Sequence, residues 1–205
     1  GLLVRRILGL GVGGACHRHH HINGLPLAPF PLGDLHETTK STHAELTRSR
    51  LDQLRQQLAD ENRNEQRVLE ETEAISRILK DSSKDQIAED LTRIEAAQAA
   101  NAKNLQKLTN ELQTAVREAL QNNSVPESTI ADIQKIVEQL EQDANPSMKE
   151  AAQNIQSAKQ DPSKATEALE KAAAAQRKAI DATSKASPAI NAGNAALRTR
   201  NFHTR

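Results

Sequence analysis

The sequence predicts an all-α protein: an elongated antiparallel helical hairpin of coiled-coil type, followed by a smaller helical segment, with disordered ends. Three observations lead there. The 205 residues include two Phe, no Tyr and no Trp, too few large side chains for a thick layered core. Ala, Gln, Glu, Lys and Leu dominate the middle of the chain, the composition of long helices. Apolar residues there recur at alternating steps of three and four, which keeps one helix stripe facing a partner.

Residues 1–33 hold seven of the eight glycines and three of the seven prolines, so they stand apart from the helices as a flexible Gly/Pro/His-rich leader. Within it, Arg5 and Arg6 precede a short apolar, glycine-rich run that ends at Gly14-Ala15-Cys16. That layout resembles an export signal, and the run is shorter than the ~20 apolar residues of a membrane span. A periplasmic or membrane-associated location is therefore expected over a cytoplasmic one.

Residues 34–123 are expected to form the long hairpin. Thr42-His43-Ala44-Glu45 has the form of a capping box and marks the expected helix start. The first seam then runs Leu51, Leu54, Leu58, Glu61, Glu65, Val68, Thr72, Ile75 and Leu79. Asp81-Ser82-Ser83-Lys84 breaks it, and Ser83 with Gln86 makes a second capping box. The second seam runs Ile87, Leu91, Ile94, Gln98, Asn101, Leu105, Leu108 and Leu112, continuing through Ala115 and Ala119.

Two helices of nearly equal length joined by a tight turn favour antiparallel neighbours. A fold centred near Ser82 and Ser83 sets Glu61 and Glu65 alongside Gln98 and Asn101, and Leu51, Leu54 and Leu58 against Leu108, Leu112 and Ala115. Polar interruptions then coincide, an arrangement that lowers stability but fixes register. The competing arrangement is an intermolecular coiled coil with one continuous helix bridging the break.

Residues 124–186 are expected to form a bundle of short helices. Ser124-Val125-Pro126-Glu127 is a start signal with proline near the first turn. Ile130, Ile133, Val137 and Leu140 follow on one face, and Asn145-Pro146 and Asp161-Pro162 repeat the cap-then-proline device. Helices are expected near 147–159 and 163–186, with Met148, Ala152 and Ile155 sharing a face of the former and Ala165, Leu169, Ala172, Gln176 and Ala179 a face of the latter. Pro188 and Gly193 end the periodicity, so 187–205 reads as a disordered tail.

Met148, Ala152 and Ile155, leading through a tight turn to Ala168, Ala172, Gln176 and Ile180, give residues 148–180 a resemblance to Ala/Gln-rich helical segments of large uncharacterised bacterial envelope proteins. The resemblance implies an extended helical region beside a membrane.

Chemistry-bearing residues concentrate in one place. Cys16, His17, His19, His20 and His21 offer a thiolate and imidazoles to a metal ion. A contiguous run between glycines and prolines supplies no scaffold for tetrahedral ligation, which favours adventitious over specific binding. Glu61 and Glu65 lie on the seam, yet a di-metal carboxylate bundle uses Glu-x-x-His on facing helices, and Gln98 and Asn101 stand there instead. No phosphate loop, nucleophile triad or dinucleotide fingerprint appears in the sequence.

The chain balances 27 basic against 27 acidic residues, but its acids all fall between the two ends, leaving 34–185 acidic. An acidic middle without a basic stripe argues against nucleic acid as partner. The reading is thus of a non-enzymatic structural or interaction protein, with no cofactor and no small-molecule substrate. Its partners are expected to be other proteins, or copies of itself, engaged through helices. The alternatives are a metal-binding periplasmic module using the Cys/His cluster and a peripheral membrane-surface helix protein.

Overall fold

A computed structural model describes residues 32–79, 83–121 and 125–203. Among them every regular element is helical: α1 (Leu32–Ile78), α2 (Lys84–Gln121), α3 (Glu127–Gln139), α4 (Asn145–Gln160) and α5 (Ala165–His203). From Gly33 onward they pack as one unit.

The first turn is made by Ser83, whose hydroxyl accepts from the Gln86 N–H at 3.3 Å while its carbonyl accepts from the Ile87 N–H at 3.1 Å. A side-chain oxygen at this position satisfies a donor that the first helical turn leaves free. α2 then returns antiparallel along α1. Ion pairs mark the register at two levels, Arg93 with Glu71 near the turn and Arg50 with Glu118 far from it.

α1 starts at Leu32, so the Thr42–Glu45 box lies inside the helix, and the expected start there is corrected. No Gly or Pro interrupts Asp34–Ser41. Extending an existing helix adds one hydrogen bond per residue without a new nucleus, so an internal box cannot stop it.

Asn145-Pro146 likewise fails to open a separate helix. The backbone is right-handed helical through Leu140, Ala144 and Asn145, and α3 runs into α4 through one π turn, Leu140–Ala144. Proline cannot donate to the carbonyl four residues back. One widened turn accommodates the gap, with the Asn145 N–H reaching back to the Leu140 carbonyl. At the other end the chain does stop: the Asp161 carboxylate accepts from the Ser163 N–H at 3.1 Å, and a 3₁₀ turn, Pro162–Lys164, leads into α5.

Four antiparallel rods result among the described residues: α1, α2, the joined α3–α4, and α5. Around the bundle α1 neighbours α2, α2 neighbours α3 and α4, these neighbour α5, and α5 closes back on α1. The described residues on either side of the expected boundary at 123–124 contribute rods to one packed unit. One apolar cluster draws Leu51 and Leu105 together with Ile133, Met148 and Ile190, and another joins Val68 and Leu91 to Ile155 and Leu169. Two hairpins merge because a two-helix seam covers only one stripe of each helix; stacking a second pair covers the adjacent stripes as well.

α5 extends past residue 187, where the periodicity ends. Helix continues through Pro188 to His203, with Ala186 and Ile190 buried while Pro188 is exposed. The proline ring faces solvent, and burial of the opposite face holds the helix together across it. Ala165, Ala172, Ala179 and Ala186 form the buried edge of this helix, small side chains that let its backbone approach its neighbours closely.

Candidate functional site

Between the two apolar clusters lies a layer of buried polar side chains. Glu65, on the α1 seam, is fully buried. Its Oε1 accepts from Gln98 Nε2 at 2.8 Å and its Oε2 from Asn101 Nδ2 at 2.9 Å, both on α2. Gln98 is itself fully buried, and its Oε1 accepts from Gln176 Nε2 of α5 at 2.7 Å. The same Gln176 amide reaches Thr72 Oγ1 at 3.2 Å. Thr72 in turn donates to the Val68 carbonyl at 2.7 Å.

The result is a directed chain of hydrogen bonds from α5 through α2 to the carboxylate of α1. Burying an unpaired carboxylate is strongly unfavourable, and bonds to a charged acceptor are stronger than neutral ones. Two flanking links extend the layer. Asn62 of α1 donates to Thr183 Oγ1 at 2.6 Å and to the Ile180 carbonyl at 3.0 Å on α5. Asn145 of α4 donates to Thr109 Oγ1 of α2 at 3.2 Å.

The second seam acid, Glu61, lies one turn before Glu65, and its Oε1 accepts from Asn104 Nδ2 at 2.8 Å. Burial lifts both carboxyls above the ordinary glutamate range. For Glu65 burial is opposed by the Asn101 and Gln98 amides and reinforced by the charge of Glu61. For Glu61 it is opposed by the Asn104 and Asn64 amides and reinforced by Asp60.

No family model matches the chain, and comparison with curated proteins and with solved structures finds no match.

Each seam residue has a definite place in this frame. Leu51, Leu54, Leu58, Val68, Ile75, Leu91, Ile94, Leu105, Leu108 and Leu112 are buried, as are Glu61, Glu65, Gln98 and Asn101. Leu79 and Ile87, beside the first turn, are partly buried against the second apolar cluster. Cys16, His17, His19, His20 and His21 lie outside the described residues.

Sequence reasoning aligned Glu61 and Glu65 with Gln98 and Asn101 but missed Asn62, Asn104, Thr109 and Asn145, and it gave Gln176 no partner. Gln98 and Gln176 share one signal: each is an amide that interrupts an apolar stripe, Gln98 together with Asn101. Two such interruptions on different helices are candidates to meet, since a buried amide needs a partner.

Chemically the layer is an anchor. Both oxygens of Glu65 are taken by amides, and the amides belong to a helix that a third helix grips in turn. Charged pairs on the rim repeat the pattern: Lys159 with Glu95 at 2.8 Å joins α4 to α2, and Arg177 with Glu73 at 2.6 Å joins α5 to α1. Among the described residues no helix is long and apolar enough to cross a membrane.

Proposed function

We propose that this chain is a non-catalytic spacer and docking scaffold, acting beside a bacterial envelope and meeting protein partners through the outer faces of its helices. The observation that carries the reading is the destination of its buried polar groups. Glu65, Gln98, Asn101, Gln176 and Thr72 bond to one another across three helices, a use that fixes register rather than serving a substrate. A bundle with locked register presents its exterior residues at fixed spacing, which a docking surface requires. The envelope location rests on the arginine pair and apolar run of residues 4–16.

Site-specific photo-crosslinking in cells tests the proposal. A photoreactive residue is placed singly at exposed positions such as Gln134, Glu138, Lys149 and Arg177. A scaffold gives adducts with a defined protein, or with a second copy, from positions that form a contiguous stripe on one face. Absence of a specific protein adduct at every exposed position of the folded chain would overturn it.

A further inference from the structure

Four buried side-chain oxygens in the described residues lack a hydrogen-bond partner, and two of them lie one helical turn apart on α1: Gln57 Oε1 and Glu61 Oε2. Side chains four residues apart on a helix are neighbours, with Cβ atoms ~5–6 Å apart. Two acceptors cannot satisfy each other. A single hydrogen placed on Glu61 Oε2 satisfies both, because the carboxylic acid then donates to Gln57 Oε1. The other carboxyl oxygen, Oε1, keeps its bond from Asn104.

We propose that Glu61 and Gln57 form an acid-closed latch in the α1 seam, in which Glu61 takes up a proton and donates a hydrogen bond to Gln57 Oε1, tying adjacent turns of α1 together as pH falls. Burial and the neighbouring acid Asp60 favour that proton, against the Asn104 and Asn64 amides, which favour the ionised carboxylate. On α1 the nearby charges are Asp60 and Glu65, both acids, and Arg63 is bonded to Asp60. α2 presents the neutral Asn104 amide, with Lys103 beside it exposed. α5 contributes the Ile180 carbonyl and Thr183, both held by Asn62. α4 contributes Met148, in the apolar cluster shared with Leu58 and Leu105.

The direction of the pH response follows. Glu61 binds its proton more tightly in the folded chain than the ordinary value of 4.5, chiefly through burial. Its contribution to stability is therefore complete below the unfolded value and is lost as pH rises through the folded one. This contribution grows as neutral solution is acidified, opposite in sign to that of a carboxylate held ionised by a lysine, such as Glu167 beside Lys171. The latch stands on the α1 seam alone and is independent of the scaffold reading.

Glu61→Gln separates this contribution from that of Glu65, because its amide N–H stands in for the acid O–H at every pH. The full chain and E61Q are unfolded in urea at about pH 5 and about pH 7.5, and the Glu61 carboxyl carbon is titrated by NMR. The latch requires E61Q to match the wild type at the lower pH and to exceed it at the higher. It also requires Glu61 to titrate above the ordinary glutamate value of 4.5. Two outcomes overturn it: Glu61 titrating at or below that value, as a water bridging the two oxygens of a charged carboxylate would allow, or E61Q retaining the whole pH response.

Discussion

Replacing Gln98 with leucine removes the one residue that belongs to both halves of the central hydrogen-bond chain. Gln98 Nε2 donates to the buried Glu65 carboxylate at 2.8 Å, and Gln98 Oε1 accepts from Gln176 at 2.7 Å. The bond to the charged group is worth ~1.5–3 kcal/mol and the neutral amide bond ~0.5–1.5 kcal/mol. Leucine fits the volume and recovers some burial energy, so a net loss of ~2–3 kcal/mol is expected. Urea unfolding followed by helical circular dichroism gives the loss as a lowered midpoint at unchanged slope.

The same substitution placed in Glu65→Leu must cost less, since no buried charge is then left short of a donor. The coupling expected from the cycle is ~1–3 kcal/mol. Extending the change to Glu65→Leu, Gln98→Leu and Gln176→Leu together makes the layer apolar, and buried polar groups replaced in this way often leave stability equal or higher. The reasoning is refuted if Gln98→Leu alone costs less than ~0.5 kcal/mol, or if Glu65→Leu fails to relieve it.

Other substitutions probe the remaining packing. Leu105→Ala, at a fully buried position in the larger apolar cluster, should cost ~2–5 kcal/mol by urea unfolding. Ala179→Leu tests the close approach of α5: it overfills a site with no exposed surface and should cost ~1–3 kcal/mol, where a loosely docked α5 would accept it without loss. Arg50→Ala removes an ion pair whose partners are 37% and 51% exposed, so its cost should stay below ~1 kcal/mol and shrink with added salt.

The hairpin of α1 and α2 was legible because Leu and Ile mark its seam at unambiguous spacing and Ser83 supplies a recognisable cap. Glu65 could be aligned with Gln98 and Asn101 from the turn position alone, whereas Glu61, expected beside the same amides, is bonded by Asn104. The second pair of rods was less legible, because alanine marks a stripe but not its partner. Ala172 and Ala179 give a periodicity that fits a small separate hairpin as well as a fourth rod against α1.

Prolines misled in both directions. Pro146 reads as a helix start, and the π turn that carries the chain past it has no sequence signature of its own. Pro188 reads as a stop, yet its position on the outer face of α5, between the buried Ala186 and Ile190, lets the helix continue. The Thr42 box shows a third limit: a capping sequence states what a helix end could use, not where the end falls. Gln176 stayed without a partner because hydrogen bonds between residues far apart in the chain follow from the bundle's closure, which the seam pattern alone does not specify.

Closure of α5 onto α1 is where the bundle stands or falls, and spin labels at Arg63 and Ser184 read it directly. These exposed residues adjoin Asn62 and Thr183, whose side chains are bonded across the two helices at 2.6 Å. Packed helices place the backbones ~8–10 Å apart, so dipolar broadening should show one short, narrow separation that survives dilution with unlabelled chain. A broad distribution of long separations, or a short one that dilution abolishes, would mean that the two hairpins do not close into a single bundle.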